Sequence, residues 1–342
     1  MNKRSLLLLA AAAALCACAN QISGAGAGVS QPSESGALAA YRARAHVSML
    51  PETSGQDLIY VADLGAVYHQ GVDVYSYPQG KDVGFIQPDG DDFAGLCADK
   101  QGDVWVLTWA TNGQAFYDKY GHGGTQPMQS IIASGVPSSC AVDPTTGNLA
   151  IANFEDFNVS RSRGDIAIYK GGQGQPEDYY DDSITHYNYC AYDDKGNLFA
   201  DGNTDYLNEL ARDGSTFLHI YLSQEISPGS LQWNGDSLTI AVVGGAKGPI
   251  VIDEATIKGS GAQIIGTTKL QTYHNKGEYL ALGYSIQGKV IVGPGPGSAG
   301  PEGELYFWPY PGGGKPSKQI TAPLYSNFYA AAFSAAPQER AR

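Results

Sequence analysis

Three cysteines, Cys97, Cys140 and Cys190, each sit in an apolar stretch that ends in aspartate: "GLCAD", "SCAVD" and "YCAYD". Thiols gathered in one place could hold a soft metal. No CxxC pair occurs among them, and no His or Asp recurs beside them at ligand spacing. The other use of such a cysteine is as a small apolar residue in a crowded strand. A second set is rich in oxygen: Asp63, Asp92, Asn153, Asn188, Asp201, Asn275, Glu278 and Asn327, with His186 among them. Convergent carboxylates and carboxamides suit a divalent cation such as Ca²⁺, and Asp and Asn are also ordinary turn residues. His186 and His274 both have tyrosine neighbours, in "THYNY" and "TYHNK", where a paired-His base is conceivable. There is no G-x-S-x-G, H-E-x-x-H or P-loop pattern, so the sequence offers no nucleophile. Aromatic residues, Tyr179, Tyr180, Tyr187 and Tyr189 among them, crowd into loops and strand ends. Over an acidic rim they would suit a saccharide or a peptide, and between strands they would simply pack.

A repeated unit positions these residues. An apolar strand recurs at 58–63, 104–109, 149–154, 198–203, 238–243 and from 290, at spacings of 40 to 52 residues. Around each lie an upstream strand, a downstream strand and a closing strand, separated by Gly, Asp, Asn and Pro. A four-stranded unit of this length is the signature of a propeller blade. The expected fold is therefore all-β, a six-bladed β-propeller of four-stranded blades. The chain enters on a second strand, "LIYVAD", and leaves on a first strand, "YAAAFS". A C-terminal inner strand should thus join the N-terminal strands and close the ring, which leaves no exposed edge. Loops entering the inner strands place Asp92, His186, Asn188, Asn275, Glu278 and Asn327 at one mouth of the central channel. Loops leaving the second strands add Asp63, Asn153 and Asp201 there. The three cysteines fall on inner strands of consecutive blades. Equivalent positions on neighbouring blades are too far apart for a disulfide, so three buried, unpaired thiols are expected.

"CAVDPTTGNLAIANF" (140–154) and "CAYDDKGNLFADGN" (190–203) resemble the NHL-type repeat, with its G-L-A-V-D-x-x-G-N-L-Y-V-A-D/N pattern. The resemblance spans residues 57 to about 334. It implies the propeller, but it leaves activity open, because the family includes interaction modules, lactonase-like hydrolases and a lyase. In the gluconolactonase-like relatives, Glu, Asn and Asp hold a metal that polarises a lactone carbonyl. Here Glu278 is the only glutamate of the mouth loops, and a cation on Glu278, Asn153, Asp201 or Asn188 would be the Lewis acid.

The chain has 342 residues, 44 of them glycine and 22 tyrosine, and is 43% apolar with only 16% charged residues. This composition favours strands and tight turns over helices. Residues 1–17 read as an export leader: Lys3 and Arg4, then an apolar run at 6–15 too short to span a membrane. "LCAC" resembles a bacterial lipobox in which Cys18 is lipidated and becomes the mature N-terminus. Ala19 favours delivery to an outer membrane. Residues 18–56 read as a flexible tether, 57–336 as the propeller and 337–342 as a tail. Without Lys3 and Arg4, 34 acidic residues face 19 basic ones, a net of −15. That charge excludes nucleic acid as a partner. The reading that results is a monomeric cell-envelope lipoprotein, held to the membrane by its anchor. It would act as a non-catalytic module binding a protein, peptide or saccharide on one propeller face. The alternative is a metal-dependent lactone or ester hydrolase with its site at the channel mouth.

Overall fold

"DPTTGN" and "DDKGN" show why the repeat is spelled as it is. Gly147 and Gly196 adopt φ of +77° and +87°, backbone that a side chain resists. In each turn the leading carboxylate accepts a backbone N–H two residues on, Asp143 Oδ1 from Thr145 at 2.8 Å and Asp193 Oδ1 from Lys195 at 2.9 Å. The aspartate and the glycine together reverse the chain, so strands must flank them.

The computed structural model describes residues 48–65, 70–158, 163–224, 228–242, 250–272, 283–295, 302–324 and 326–337. The chain divides into two units, Met1–Ala40 and Tyr41–Arg342, and every described residue lies in the second. Its strands, in chain order, are β1 (Ser48–Met49), β2 (Leu58–Leu64), β3 (Gln70–Ser76), β4 (Asp82–Ile86), β5 (Asp92–Ala98), β6 (Val104–Trp109), β7 (Gln114–Tyr120) and β8 (Pro127–Val142). They continue with β9 (Leu149–Asp156), β10 (Ile166–Tyr169), β11 (Glu177–Tyr179), β12 (Tyr187–Tyr192), β13 (Leu198–Gly202), β14 (Tyr206–Leu210), β15 (Phe217–Leu222) and β16 (Pro228–Asn234). The last are β17 (Ser237–Val242), β18 (Ile250–Lys258), β19 (Gly261–Leu270), β20 (Ser285–Gln287), β21 (Val290–Pro294), β22 (Glu302–Pro309), β23 (Lys318–Leu324) and β24 (Phe328–Ser334). Two short 3-10 turns are the only helical pieces among the described residues. No helix there is long and apolar enough to cross a membrane.

All six expected second strands are present, as β2, β6, β9, β13, β17 and β21. The sheets run β1-β4-β3-β2-β24, β11-β10-β9-β8-β7-β6-β5, β12-β13-β14-β15-β19-β18-β17-β16 and β20-β21-β22-β23. The seven-stranded sheet arises because β8 is continuous: its first part pairs with β7 and its second with β9. The eight-stranded sheet is two antiparallel meanders joined by a two-pair parallel ladder, Tyr221↔Gly261 and Leu222↔Ala262. β24 pairs antiparallel with β2, from Leu58↔Ser334 to Asp63↔Phe328. Ahead of residue 57, Ser48–Met49 adds to the outer edge of β4. Residues 280–282 of the expected inner strand "LALGY" lie outside the described residues, and pairing there is seen in β20, just beyond it.

Apolar clusters lie between neighbouring meanders. One combines Leu58, Tyr60 and Val72 with Phe93, Val104 and Val106, and the next combines Trp105, Leu107 and Tyr117 with Leu149, Ile151 and Tyr169. Further clusters follow around the chain. One of them packs Ile59 and Val61 of β2 against Val292, Leu305 and Phe307. Strand faces with period-2 burial meet the next meander on one side and the previous one on the other.

The cysteine expectation is corrected: Cys97 and Cys140 form a disulfide, with Cα atoms 5.7 Å apart, and among the described residues Cys190 is the one free cysteine, and buried. The reason is parity. Cys140 and Cys190 stand three residues before their turn aspartates, Asp143 and Asp193, whereas Cys97 stands two before Asp99. A one-residue offset turns a strand side chain to the opposite face. Cys97 and Cys140 therefore face each other across an interface that equivalent positions could not bridge. The bond closes a loop of 43 residues. Cys140→Ala should lower unfolding free energy by about 2–4 kcal/mol, read by denaturant melts. Cys190→Ala breaks no covalent bond and should cost less. Equal melting of wild type and Cys140→Ala would contradict the bond.

Candidate functional site

The stretch from β9 to β15 holds the most concentrated polar chemistry among the described residues. β9, β10 and β11 lie side by side, and their ends bring together Asp156 at the end of β9, Asp165 just ahead of β10 and Asp178 within β11. One carboxylate oxygen from each lies within 4.8 Å of the others. Asp165 and Asp156 are buried, 1% and 4% exposed, and Asp178 is exposed. Asn153 donates from its backbone N–H to the Asp165 carbonyl at 2.9 Å and from Nδ2 to Asp165 Oδ1 at 2.7 Å. Asp156 Oδ1 accepts the Asn158 N–H at 2.8 Å. Burial pushes the Asp165 carboxyl up to about 7, with Asp156 and Asp178 adding to the effect and the Asn153 bond opposing it. Burial, then Asp156, also raises Asp178.

Asp178 has a second role. With Tyr179, Tyr180, Asp181, Ser215, Thr216 and Phe217 it lines a cleft of about 400 Å³, between β11 and the turn leading into β15. Tyr179 meets Phe217 edge-on at 6.4 Å. Tyr180 is 55% exposed and carries the Arg163 guanidinium 5.0 Å above its ring. Arg163 is oriented by the Asp181 carbonyl at 2.8 Å and Asp182 at 3.1 Å. Asp181 sits at the centre of a network with His219, Ser183, Asn208 and the Tyr187 hydroxyl. Burial acts to raise its pKa, but the Ser183 bonds and His219 outweigh it and hold Asp181 down to about 2. The carboxylate lies between the hydroxyl and the imidazole. A Ser-His-Asp relay has the imidazole in the middle, an order this network does not have, and its bonds tie the cleft wall to β15. Farther along β15, Leu218 and Tyr221 are exposed, with Tyr221 beside Tyr206.

Of the residues expected at the channel mouth, Asp63 and Asp201 are fully buried. Asp63 Oδ1 accepts the N–H groups of Gly65 and Asn327, at 2.8 and 2.5 Å, and Asp201 Oδ1 accepts that of Tyr189 at 2.8 Å. Both carboxylates sit where the inner strand breaks register and bond backbone the ladder leaves out. Burial raises Asp201 well above the ordinary carboxylate range. His186 stacks on Phe154 at 4.1 Å and bonds the Phe154 carbonyl through Nδ1 at 2.7 Å. Asp92 opens β5, and burial, then Asp91, raises its pKa. Asn188 is half-buried and Asn327 exposed. Asn153 alone joins the carboxylate group described above. Cys18, Asn275, Glu278 and His274 lie outside the described residues. Asp156, Asp165 and Asp178 went unnoticed in sequence because they sit on three strands with no common spacing. The available signal was that Asp156 and Asp165 mark strand ends in the meander that also holds Asn153.

No family model matches the sequence, and no curated protein matches it. Solved structures do. One from the nidogen/laminin complex aligns with TM-score 0.55 and 13% identity, covering 82% of this chain and 99% of that one. The β-propeller domain of Cps50 (Swd1) from Myceliophteria thermophila aligns with TM-score 0.51 and 11% identity, covering 81% and 85%. At these identities the likeness is one of fold, and the fold is a β-propeller.

The acidic group makes stability depend on pH. The unfolded chain releases the Asp165 proton near the ordinary carboxylate value of 3.8 and the folded chain near 7. Between these values the folded state binds more protons, so stability falls as pH rises, and levels off above. In buffer free of divalent cations, the melting temperature of wild type should decline from about pH 4 to 7 more steeply than that of Asp165→Asn. Parallel profiles would contradict the assignment.

Proposed function

We propose that this chain is a six-bladed β-propeller, exported and lipid-anchored through Cys18, that serves as a non-catalytic binding module of the cell envelope. Apolar clusters between successive meanders, the last joining β2 to β21 and β22, support the six-blade ring. The NHL-type motifs point the same way. The Cys97–Cys140 bond suits an oxidising compartment outside the cytosol, as does the leader. The acidic surface argues against nucleic acid and for a partner with positive charge.

The observation that carries the binding reading is the cleft beside β11. An exposed ring, Tyr180, stands next to Asp178, Asp181 and Asp182, with Ser215 and Thr216 opposite. Aromatic faces supply contact area at low entropic cost, and carboxylates select charge. The best-fitting ligand is a polypeptide segment with a basic residue beside an apolar one. A propeller aligned here comes from a structure of two proteins in complex, which makes a protein partner the natural choice.

Selection of a displayed peptide library on the full chain tests this. Enriched peptides should carry Lys or Arg beside an apolar residue, and Tyr180→Ala or Asp182→Lys should weaken their binding about tenfold or more. Enrichment unaffected by either variant would reject the cleft. A glycan-array signal lost in Tyr180→Ala, with no peptide selected, would replace the polypeptide by a saccharide.

A further inference from the structure

We propose that Asp156, Asp165 and Asp178, with the side-chain carbonyl of Asn153, form a binding site for a divalent cation of the calcium type. Three observations converge on it. The first is distance. Oxygens around Ca²⁺ lie about 2.3–2.6 Å from the ion, so any two ligands are at most about 5 Å apart. Oxygens of the three carboxylates are all within 4.8 Å of one another. An ion between them lies within about 2.8 Å of all three, so small side-chain adjustments bring all three into contact.

The second is charge. Two of the carboxylates are almost wholly buried, and among the described residues no Lys, Arg or His pairs with any of the three. Arg163, whose carbonyl accepts the Asp156 N–H at 2.7 Å, turns its guanidinium to the Asp181 carbonyl and Asp182 instead. Like charges held together in a low dielectric are costly unless something positive stands between them.

The third is independent of the acidic cluster as such. Asp165 Oδ2 and Asn153 Oδ1 are both buried, and neither has a hydrogen-bond partner. Buried acceptors left unmet are rare and call for an explanation. Both belong to groups already in contact, because Asn153 Nδ2 donates to Asp165 Oδ1 at 2.7 Å. That bond orients the carboxylate and leaves its other oxygen, and the amide carbonyl, without a donor. A cation between the carboxylates would meet both oxygens, in place of the proton that Asp165 otherwise shares with Asp178.

The donor set chooses the metal. It is all oxygen, with no imidazole or thiolate, which favours hard ions over zinc or copper. Ligands from three strands at irregular angles suit the loose coordination of Ca²⁺ better than the strict octahedron of Mg²⁺. Exposed Asp178 provides the way in and leaves room for water on the ion. Of the residues expected at the channel mouth the site uses Asn153 alone, and the inference does not depend on which ligand enters the cleft.

The test uses the full chain, stripped with EDTA and titrated with CaCl₂, MgCl₂ or NaCl of equal ionic strength. Ca²⁺ at a hundredfold excess over its dissociation constant should raise the melting temperature by about 5 °C, with Mg²⁺ weaker and Na⁺ inert. Calorimetry should give one site per chain. Asp165→Asn should melt no lower than wild type in EDTA, since it removes a buried like charge, yet gain nothing from Ca²⁺. Should Asp165→Asn misfold, the exposed Asp178→Asn must weaken Ca²⁺ binding about tenfold or more. A wild-type melt identical in Ca²⁺ and EDTA would overturn the proposal. So would a Ca²⁺ response retained in the variants, because the ion would then sit elsewhere.

Discussion

β24 and β2 are separated by almost the whole domain in sequence and are hydrogen-bonded neighbours in space, from Leu58↔Ser334 to Asp63↔Phe328. β2 is otherwise an edge: β3 covers one side, and the other would offer a row of unpaired N–H and C=O groups. Its side chains need β24 as much as its backbone does. Tyr60 and Ala62 pack with Ala330 against the second meander, while Ile59 and Val61 pack with Ala331 against the last. The segments flanking this ladder are fastened further. Ala336 N–H donates to Asp57 Oδ1 at 2.8 Å. The His122 ring bonds both Ser334 Oγ at 2.7 Å and the Gln56 carbonyl at 3.0 Å. A side chain of the second meander thus holds the segments that precede β2 and end β24.

The rest of the architecture is built beside this one ladder. Each meander has two apolar faces and cannot bury both alone; stacking buries one against each neighbour, and only a ring leaves no face over. Crowding toward the inner strands explains their small residues, Ala94, Ala141, Ala191 and the run Ala330 to Ala332, all buried. Cysteine fits the same requirement, and at Cys97 and Cys140 the parity of two strands turned a packing choice into a covalent tie. Where β8 runs unbroken from one meander into the next, the interface is stiffened by backbone as well. The cleft and the carboxylate group lie just beyond that stiffened segment, on strands whose positions it sets.

The fold was legible because its signals are local. The six second strands combine β-branched and apolar runs with Asp and Gly turns, and they appear within a residue or two of where the pattern puts them. The pairing of β24 with β2 was legible from order: a repeat whose strands open on a second strand and finish on a first leaves two matching edges. The disulfide was not, because it depends on which face Cys97 takes, and one residue between "LCAD" and "SCAVD" decides that. Asp63 and Asp201 were legible as residues of strand ends, but not as buried acceptors of backbone N–H groups at register breaks. The carboxylates of Asp156, Asp165 and Asp178 meet only through lateral pairing of three strands, and no spacing along the chain encodes that meeting.

Native-state hydrogen exchange of the hydrogen-bonded amides of β24 and β2 measures the closure directly. If the ring closes through this ladder, both strands exchange only by global unfolding. Their protection then equals that of β9 in the heart of the domain, and all three fall together as denaturant is added. Amides of β24 that exchange orders of magnitude faster than those of β9, with β9 protection unaffected, would show that the domain stands without its closing strand and would contradict the account.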